Sequence, residues 1–185
     1  MSRTDLSCIC SPESYSKMHK FILRECKNMN NQWIYKIIRP GHNRLEEDIC
    51  IIEPEWVLVT NKHFGCEQRF LVIFRDEKLK TIRDLRQSHI TVLKQIFMKV
   101  KEYLNQHNLF NYIFYFHYLP SVFQLHMHVN LVTFITKQND RIQPLHTIIR
   151  NLEKKSTYYE EALILTKYCK TRHRCEILEK KTFNI

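Results

Sequence analysis

Glycine is nearly absent from this 185-residue chain, which contains only two. That excludes the glycine-rich loops with which P-loop and dinucleotide-binding folds cradle phosphates on backbone N–H groups, so any phosphate chemistry here rests on side chains. Long apolar runs are missing as well: none approaches the ~18 residues that a membrane-spanning helix requires. The opening MSRTDLSCIC places charged and polar residues where a secretory leader has its apolar segment, which predicts a protein that is not exported and works in reducing surroundings. The seven cysteines are odd in number and Cys8-x-Cys10 is their only close pair. Neither a disulfide framework nor a zinc ribbon with two-residue spacers is therefore present, and Cys8 and Cys10 would form a metal clip only with ligands brought from far along the chain. Repeats, low-complexity tracts and an interdomain linker are lacking too, which predicts one domain.

What is present is apolar and basic. Hydrophobic residues at 44% and aromatics at 12% support a buried core and exclude a disordered tail. A formal charge of +10 and a pI near 9.3 favour a polyanionic partner: RNA, nucleotide phosphates or an anionic surface. Lys and Arg are spread along the chain, with mild concentrations at 167–174 and 180–181, so no dedicated basic tail stands out. Ser11, Pro12 and Glu13 read as a helix start, with Tyr15, Met18, Ile22 and Cys26 on one face and an end near Asn28–Asn31. WIYKIIR, ICII, WVLVT and RFLVIF read as consecutive antiparallel strands. Over residues 87–104 the apolar period changes: Ile90, Leu93, Ile96, Phe97, Val100 and Leu104 mark the longest amphipathic helix. Two strands follow, in LFNYIFYFHY and VFQLHMHVNLVTF, then a helix near 143–154 and a strand near 161–168. The expected class is α+β: an antiparallel sheet with a long amphipathic helix and flanking helices.

Residues 116–129, FHYLPSVFQLHMHV, concentrate three of the ten histidines, His117, His126 and His128, together with Gln124. On an extended strand Gln124, His126 and His128 share one side while Leu125, Met127 and Val129 take the other. Three chemistries fit that stripe. It is the polar face of a half-buried strand; or a metal site completed by His117 and a further ligand; or a neutral imidazole poised to attack phosphorus, with neighbouring donors stabilising the phosphate oxygens. Spacing alone does not separate them.

The residue context does. QLHMHV resembles the histidine-triad motif, His-φ-His-φ-His-φ, of nucleotide hydrolases and transferases, with Gln124 in the first histidine position. HYLPSVFQLHMHV as a whole resembles the active-site segment of the scavenger mRNA-decapping enzyme family. CKNMNNQWIYKII, TIRDLRQSHITVLKQIF and IIRNLEKKSTYYEEALI resemble segments of that family's catalytic domain, in the same order. The resemblance spans residues 11–185, read as a single histidine-triad-like domain behind an N-terminal extension of residues 1–10. It implies metal-independent hydrolysis, with no cofactor, of the triphosphate bridge of 7-methylguanosine cap dinucleotides or short capped RNA, releasing 7-methylguanosine monophosphate. By position His126 is the nucleophile that forms a covalent nucleotidyl-histidine, and His128 binds or polarises the phosphate. His117 and Ser121 line the phosphates. Trp33 falls where the family stacks an aromatic ring on the methylated base, whose positive charge an indole face attracts; a core anchor is its other reading. Glu46 matches the family's acidic residue for the guanine edge, with Glu47 nearly as good, and Lys62 with Asn61 approximates its cap-binding Asp-x-Lys step. Histidine-triad proteins pair into two-fold dimers, which implies a homodimer with the Ile90–Leu104 helix contributing.

The chain departs from the pattern in three places. Gln124 can donate a hydrogen bond to a phosphate oxygen but cannot deliver a proton near neutral pH. Full-length members carry a large N-terminal domain that closes over the cap, whereas only about ten residues precede the match here, which implies a more open site. VLVTNKHF only approximates the family's cap-binding strand end. Two alternatives follow: a cap- or nucleotide-binding protein with weak catalysis, and a histidine-triad hydrolase of other nucleoside polyphosphates. The expected location is the cytoplasm, with the nucleus also open and no membrane association.

Overall fold

The computed structural model describes residues 7–10, 12–17, 19–39, 49–60, 69–131 and 142–167. Six strands form one antiparallel sheet: β2 (Ile49–Ile52), β3 (Trp56–Thr60), β4 (Arg69–Phe74), β5 (Tyr112–His117), β6 (His126–Leu131) and β7 (Ile142–Pro144). Their order is β2-β3-β4-β6-β5-β7. A separate pair joins β1 (Ser7–Cys10) to β8 (Ile164–Lys167), so part of the expected N-terminal extension is a strand against the chain's later residues. With helices α1 (Pro12–Lys17), α2 (His19–Lys27), α3 (Gln32–Ile38), α4 (Ile90–Gln106), α5 (Leu145–Lys154) and α6 (Tyr158–Glu161), this is the α+β class read from the sequence. No described helix is long and apolar enough to cross a membrane.

Strand alternation divides the sheet into two unlike faces. Leu58, Phe70, Val72, Phe74, Phe114, Phe116, Met127 and Val129 belong to the larger apolar cluster, where α4 supplies Val92, Leu93, Ile96, Val100 and Leu104 and α5 supplies Leu145, Ile148 and Leu152. On the other face Val57, Val59, Leu71 and Ile73 pack with Ile34, Tyr35, Ile37 and Ile38 of α3. The register carries that second face onward: His128 lies opposite Leu71, His126 opposite Ile73, and Tyr115 opposite His128. Chemistry-bearing side chains therefore continue the face that α3 covers, rather than the fully apolar one.

WIYKIIR was expected as a strand and is helix α3. Its buried positions, Ile34, Tyr35, Ile37 and Ile38, with Lys36 exposed between them, form a helical stripe and not an alternation. Side chains fix the turn that starts it: Asn31 Nδ2 donates to the Glu25 carbonyl at 2.9 Å and Gln32 Nε2 to the Cys26 carbonyl at 2.8 Å. The expected helix over 11–31 is divided into α1, α2 and a 3-10 turn at Met29–Asn31; Ser11 and Met18, part of its expected cap and face, lie outside the described residues.

With glycine so scarce, asparagine takes its place at a helix end. Asn108, just past α4, has φ 56°; its N–H donates to the Asn105 carbonyl, and the Leu109 N–H donates to that of Leu104 at 2.9 Å. This is the paired bonding of a Schellman termination, with asparagine tolerating the left-handed backbone.

A buried cation closes the core. Arg83, 2% exposed, donates from Nε to the Tyr118 hydroxyl at 2.6 Å and from Nη1 to the carbonyls of Tyr159 and Ala162 at 2.8 and 3.0 Å. It links the turn before α4, the residue after β5 and the approach to β8.

Candidate active site

Strands β5 and β6 gather four rings on the face shared with α3. Tyr115 and His117 are two apart on β5, as are His126 and His128 on β6, so each pair points to one side. The Tyr115 ring stacks on His128 at 5.2 Å and 11°. His117 lies 4.3 Å from His128, and His126 lies 5.2 Å from His128, centroid to centroid. The three histidines separated by the HYLPSVFQ bend in sequence are thus one cluster in space. Among the described residues no group of His, Cys, Asp and Glu is arranged to hold a metal ion.

His126 has a defined orientation. Its Nδ1 lies 2.7 Å from the carbonyl of Gln124. A carbonyl only accepts, so Nδ1 carries the proton and the lone pair of the neutral ring is on Nε2. The residue is buried at 7% exposure, whereas His117 and His128 are half-buried.

Phe123, Gln124 and Leu125, which lead into β6, are each fastened by hydrogen bonds. Tyr35 Oη and Cys26 Sγ both donate to the Phe123 carbonyl, at 3.0 and 3.4 Å. The Phe74 N–H donates to the Leu125 carbonyl, and the Leu125 N–H to that of Leu79. Gln124, fully buried, donates from Nε2 to the Phe74 carbonyl at 2.7 Å and the Asp76 carbonyl at 3.0 Å. This corrects the sequence reading, in which Gln124 shares one side of a strand with His126 and His128 and can donate to a phosphate oxygen. The strand begins only at His126, and both amide hydrogens of Gln124 are committed to backbone.

Two further polar residues extend the cluster. Asn130 Nδ2 donates to the Tyr115 hydroxyl at 2.8 Å, and Asn130 pairs in register with Arg69 at the start of β4. Burial pushes the Tyr115 phenol above its ordinary value, against the lowering effects of the Asn130 bond and the Arg69 charge, so Tyr115 is a neutral acceptor at physiological pH. Sequence reading missed both residues, although Tyr115 precedes His117 by two and Asn130 follows His128 by two, the period that places them on one strand face.

Of the other expected site residues, Ser121 is exposed in the bend before β6. Trp33 is half-buried on α3 and packs against the apolar cluster under that helix, which is what a core anchor does, on the same sheet face as the histidines. Glu46 and Glu47, Asn61 and Lys62 lie outside the described residues. Cavities of 690, 420 and 350 Å³ occur among the described residues, and none is lined by His117, His126 or His128. The stretches 40–48, 61–68 and 132–141, which follow α3, β3 and β6 in sequence, are not among those residues.

Comparison with known proteins adds a family. The family described as scavenger mRNA decapping enzyme C-term binding matches residues 32–143, a span that holds every expected site residue. The chain is similar to the m7GpppX diphosphatases of Sus scrofa (26% identical over 150 residues), Homo sapiens (25% over 151) and Bos taurus (26% over 150). Each match covers 74% of this chain and 44% of the relative, so the chain spans less than half the length of these relatives.

Proposed function

The chain belongs to the scavenger mRNA decapping enzyme C-terminal family, and from that premise we propose that it hydrolyses the triphosphate bridge of 7-methylguanosine cap dinucleotides or short capped RNA. The observation that carries this reading is the orientation of His126, whose Nδ1–H is held by the Gln124 carbonyl beside His128 and His117. In this mechanism the lone pair of Nε2 attacks the phosphorus attached to 7-methylguanosine. A P–N bond forms and the bridging P–O bond breaks, its electrons leaving with the nucleoside or RNA diphosphate. Water then attacks the same phosphorus, the P–N bond breaks, 7-methylguanosine monophosphate departs and the imidazole is restored. His128, His117 and Ser121 donate hydrogen bonds to the phosphate oxygens, no metal taking part. Trp33 stacks on the cationic base, Glu46 accepts from the guanine edge, and Lys62 with Asn61 serves as the cap-binding step.

The protein acts in this reading as a cytoplasmic homodimer. Phe97 and Met98 on α4, 37% and 65% exposed, supply an apolar surface for two-fold pairing through the long helix.

A second reading, a cap- or nucleotide-binding protein with little turnover, is favoured by the deep burial of His126 and the absence of a titrating group at Gln124. One experiment separates the two. Purified protein is incubated with methylated and unmethylated cap dinucleotide in the presence of a chelator, and products are resolved by anion exchange. Release of 7-methylguanosine monophosphate that disappears in His126→Ala is expected. Binding without release would establish the second reading, cleavage indifferent to methylation would redirect the protein to other nucleoside polyphosphates, and loss of activity on chelation would contradict the metal-free route.

A further inference from the structure

The glutamine at position 124 has an unusual set of partners. Its Nε2 reaches two backbone carbonyls at once, those of Phe74 and Asp76, at 2.7 and 3.0 Å. That pair fixes the amide's orientation, because the reverse assignment would turn Oε1 against two acceptors. Oε1 is buried, without a hydrogen-bond partner among the described residues. The same residue's main-chain carbonyl receives the His126 Nδ1–H at 2.7 Å. One residue therefore grips the end of β4 with its side chain and the nucleophile candidate with its backbone.

Two carbonyls facing one side chain demand two N–H groups. A primary amide supplies both at every pH, whereas an imidazole supplies two only when protonated. Resting on the cap-hydrolase reading for its kinetic consequence only, we propose that Gln124 is a positioning residue: a pH-independent double donor that holds its own carbonyl against His126 Nδ1 and so keeps the proton on Nδ1 and the lone pair on Nε2. The groups around it leave that task to the amide. The Arg75 guanidinium is turned to the carbonyls of Glu53 and Ile38, the Asp76 carboxylate accepts from the Lys78 N–H, and Lys80 Nζ donates to the Tyr35 hydroxyl. The titratable His126 ring meets the Gln124 backbone carbonyl through Nδ1.

The consequence for Gln124→His has a definite sign. Two carbonyl acceptors favour the imidazolium, so the ring's folded-state pKa rises above its ordinary value of about 6.5. The support it gives is complete below that unfolded value and is lost as pH rises through the raised folded value.

The test needs a readout that does not depend on the substrate. The His126 imidazole nitrogens are followed by nitrogen-proton NMR across pH in the wild type, in Gln124→Met, which keeps length and loses both donors, and in Gln124→His. The kcat and KM of cap dinucleotide hydrolysis are measured in parallel. The wild type is expected to keep a single Nδ1–H tautomer, and Gln124→Met to mix tautomers with kcat lowered about tenfold and KM changed less than about twofold. Gln124→His should match the wild type at low pH and Gln124→Met at high pH. It also serves as the folded comparison if Gln124→Met does not fold. An unchanged His126 tautomer in Gln124→Met, a Gln124→His that is insensitive to pH, or a raised KM at constant kcat would overturn the proposal. If the wild type cleaves no cap, the cap reading fails while the tautomer result still decides this one.

Discussion

At the scale of single residues, the question is what His126 and its neighbours do for a leaving group. The amide hydrogens of Gln124 are engaged with Phe74 and Asp76, so this position brings no proton to a departing atom. A diphosphate scarcely needs one, since the second pKa of a phosphate monoester is about 6 and the anion is already stable at neutral pH. An amine expelled from a phosphoramidate does need one. Turnover of a nucleoside polyphosphate is therefore expected to exceed that of the matching nucleoside phosphoramidate by about a hundredfold or more, the ordinary contribution of general acid catalysis. Equal rates in a direct competition assay would show that another group, His117 or His128 foremost, serves as the acid. The histidine cluster was legible in the sequence because its members are rare and recur at the strand period. The burial of Gln124 was not, because a two-residue period says which side a residue takes only where the strand has already begun, and β6 starts at His126.

At the scale of elements, the long helix and most strands were readable because their apolar spacing is sustained. Helix α4 buries Leu93, Ile96, Val100 and Leu104, four of the six positions named from the three-and-four spacing, together with Val92, which that spacing did not name; Ile90 is half-buried and Phe97 is 37% exposed. Helix α3 was misread for the opposite reason: seven residues are too few to display a period, and Ile, Tyr and Trp also favour strands. What decides it is tertiary, the packing of Ile34, Tyr35, Ile37 and Ile38 on Val57, Val59, Leu71 and Ile73. The pairing of β1 with β8 was invisible because it joins Ser7–Cys10 to Ile164–Lys167 across nearly the whole described chain. Arg83 shows how such distant elements are held. Replacing it with methionine keeps much of the volume but removes donors from Tyr118, Tyr159 and Ala162. Buried carbonyls left unsatisfied cost about 2–4 kcal/mol in total. A thermal midpoint lower by roughly 5–15 °C is expected for Arg83→Met in a melting experiment. A fall of less than about 2 °C would mean that the guanidinium does not bind these elements together.

At the scale of the whole molecule, one sheet separates two tasks. The face under α4 and α5 carries the larger apolar cluster and supplies cohesion; the face under α3 is apolar at Val57, Val59, Leu71 and Ile73 and becomes polar over β6 and β5, where the histidines cluster. A net charge of +10, spread along the chain, favours a polyanionic partner. The α+β class and the family were both legible from sequence, and both are found. The central claim, that an imidazole nitrogen of His126 displaces the diphosphate before water enters, is tested most directly by stereochemistry at the attacked phosphorus. A cap analogue made chiral there with sulfur is hydrolysed in isotopically labelled water and the configuration of the released monophosphorothioate is determined. Two in-line displacements predict net retention; inversion would mean that water attacks the bridge directly and would contradict the account.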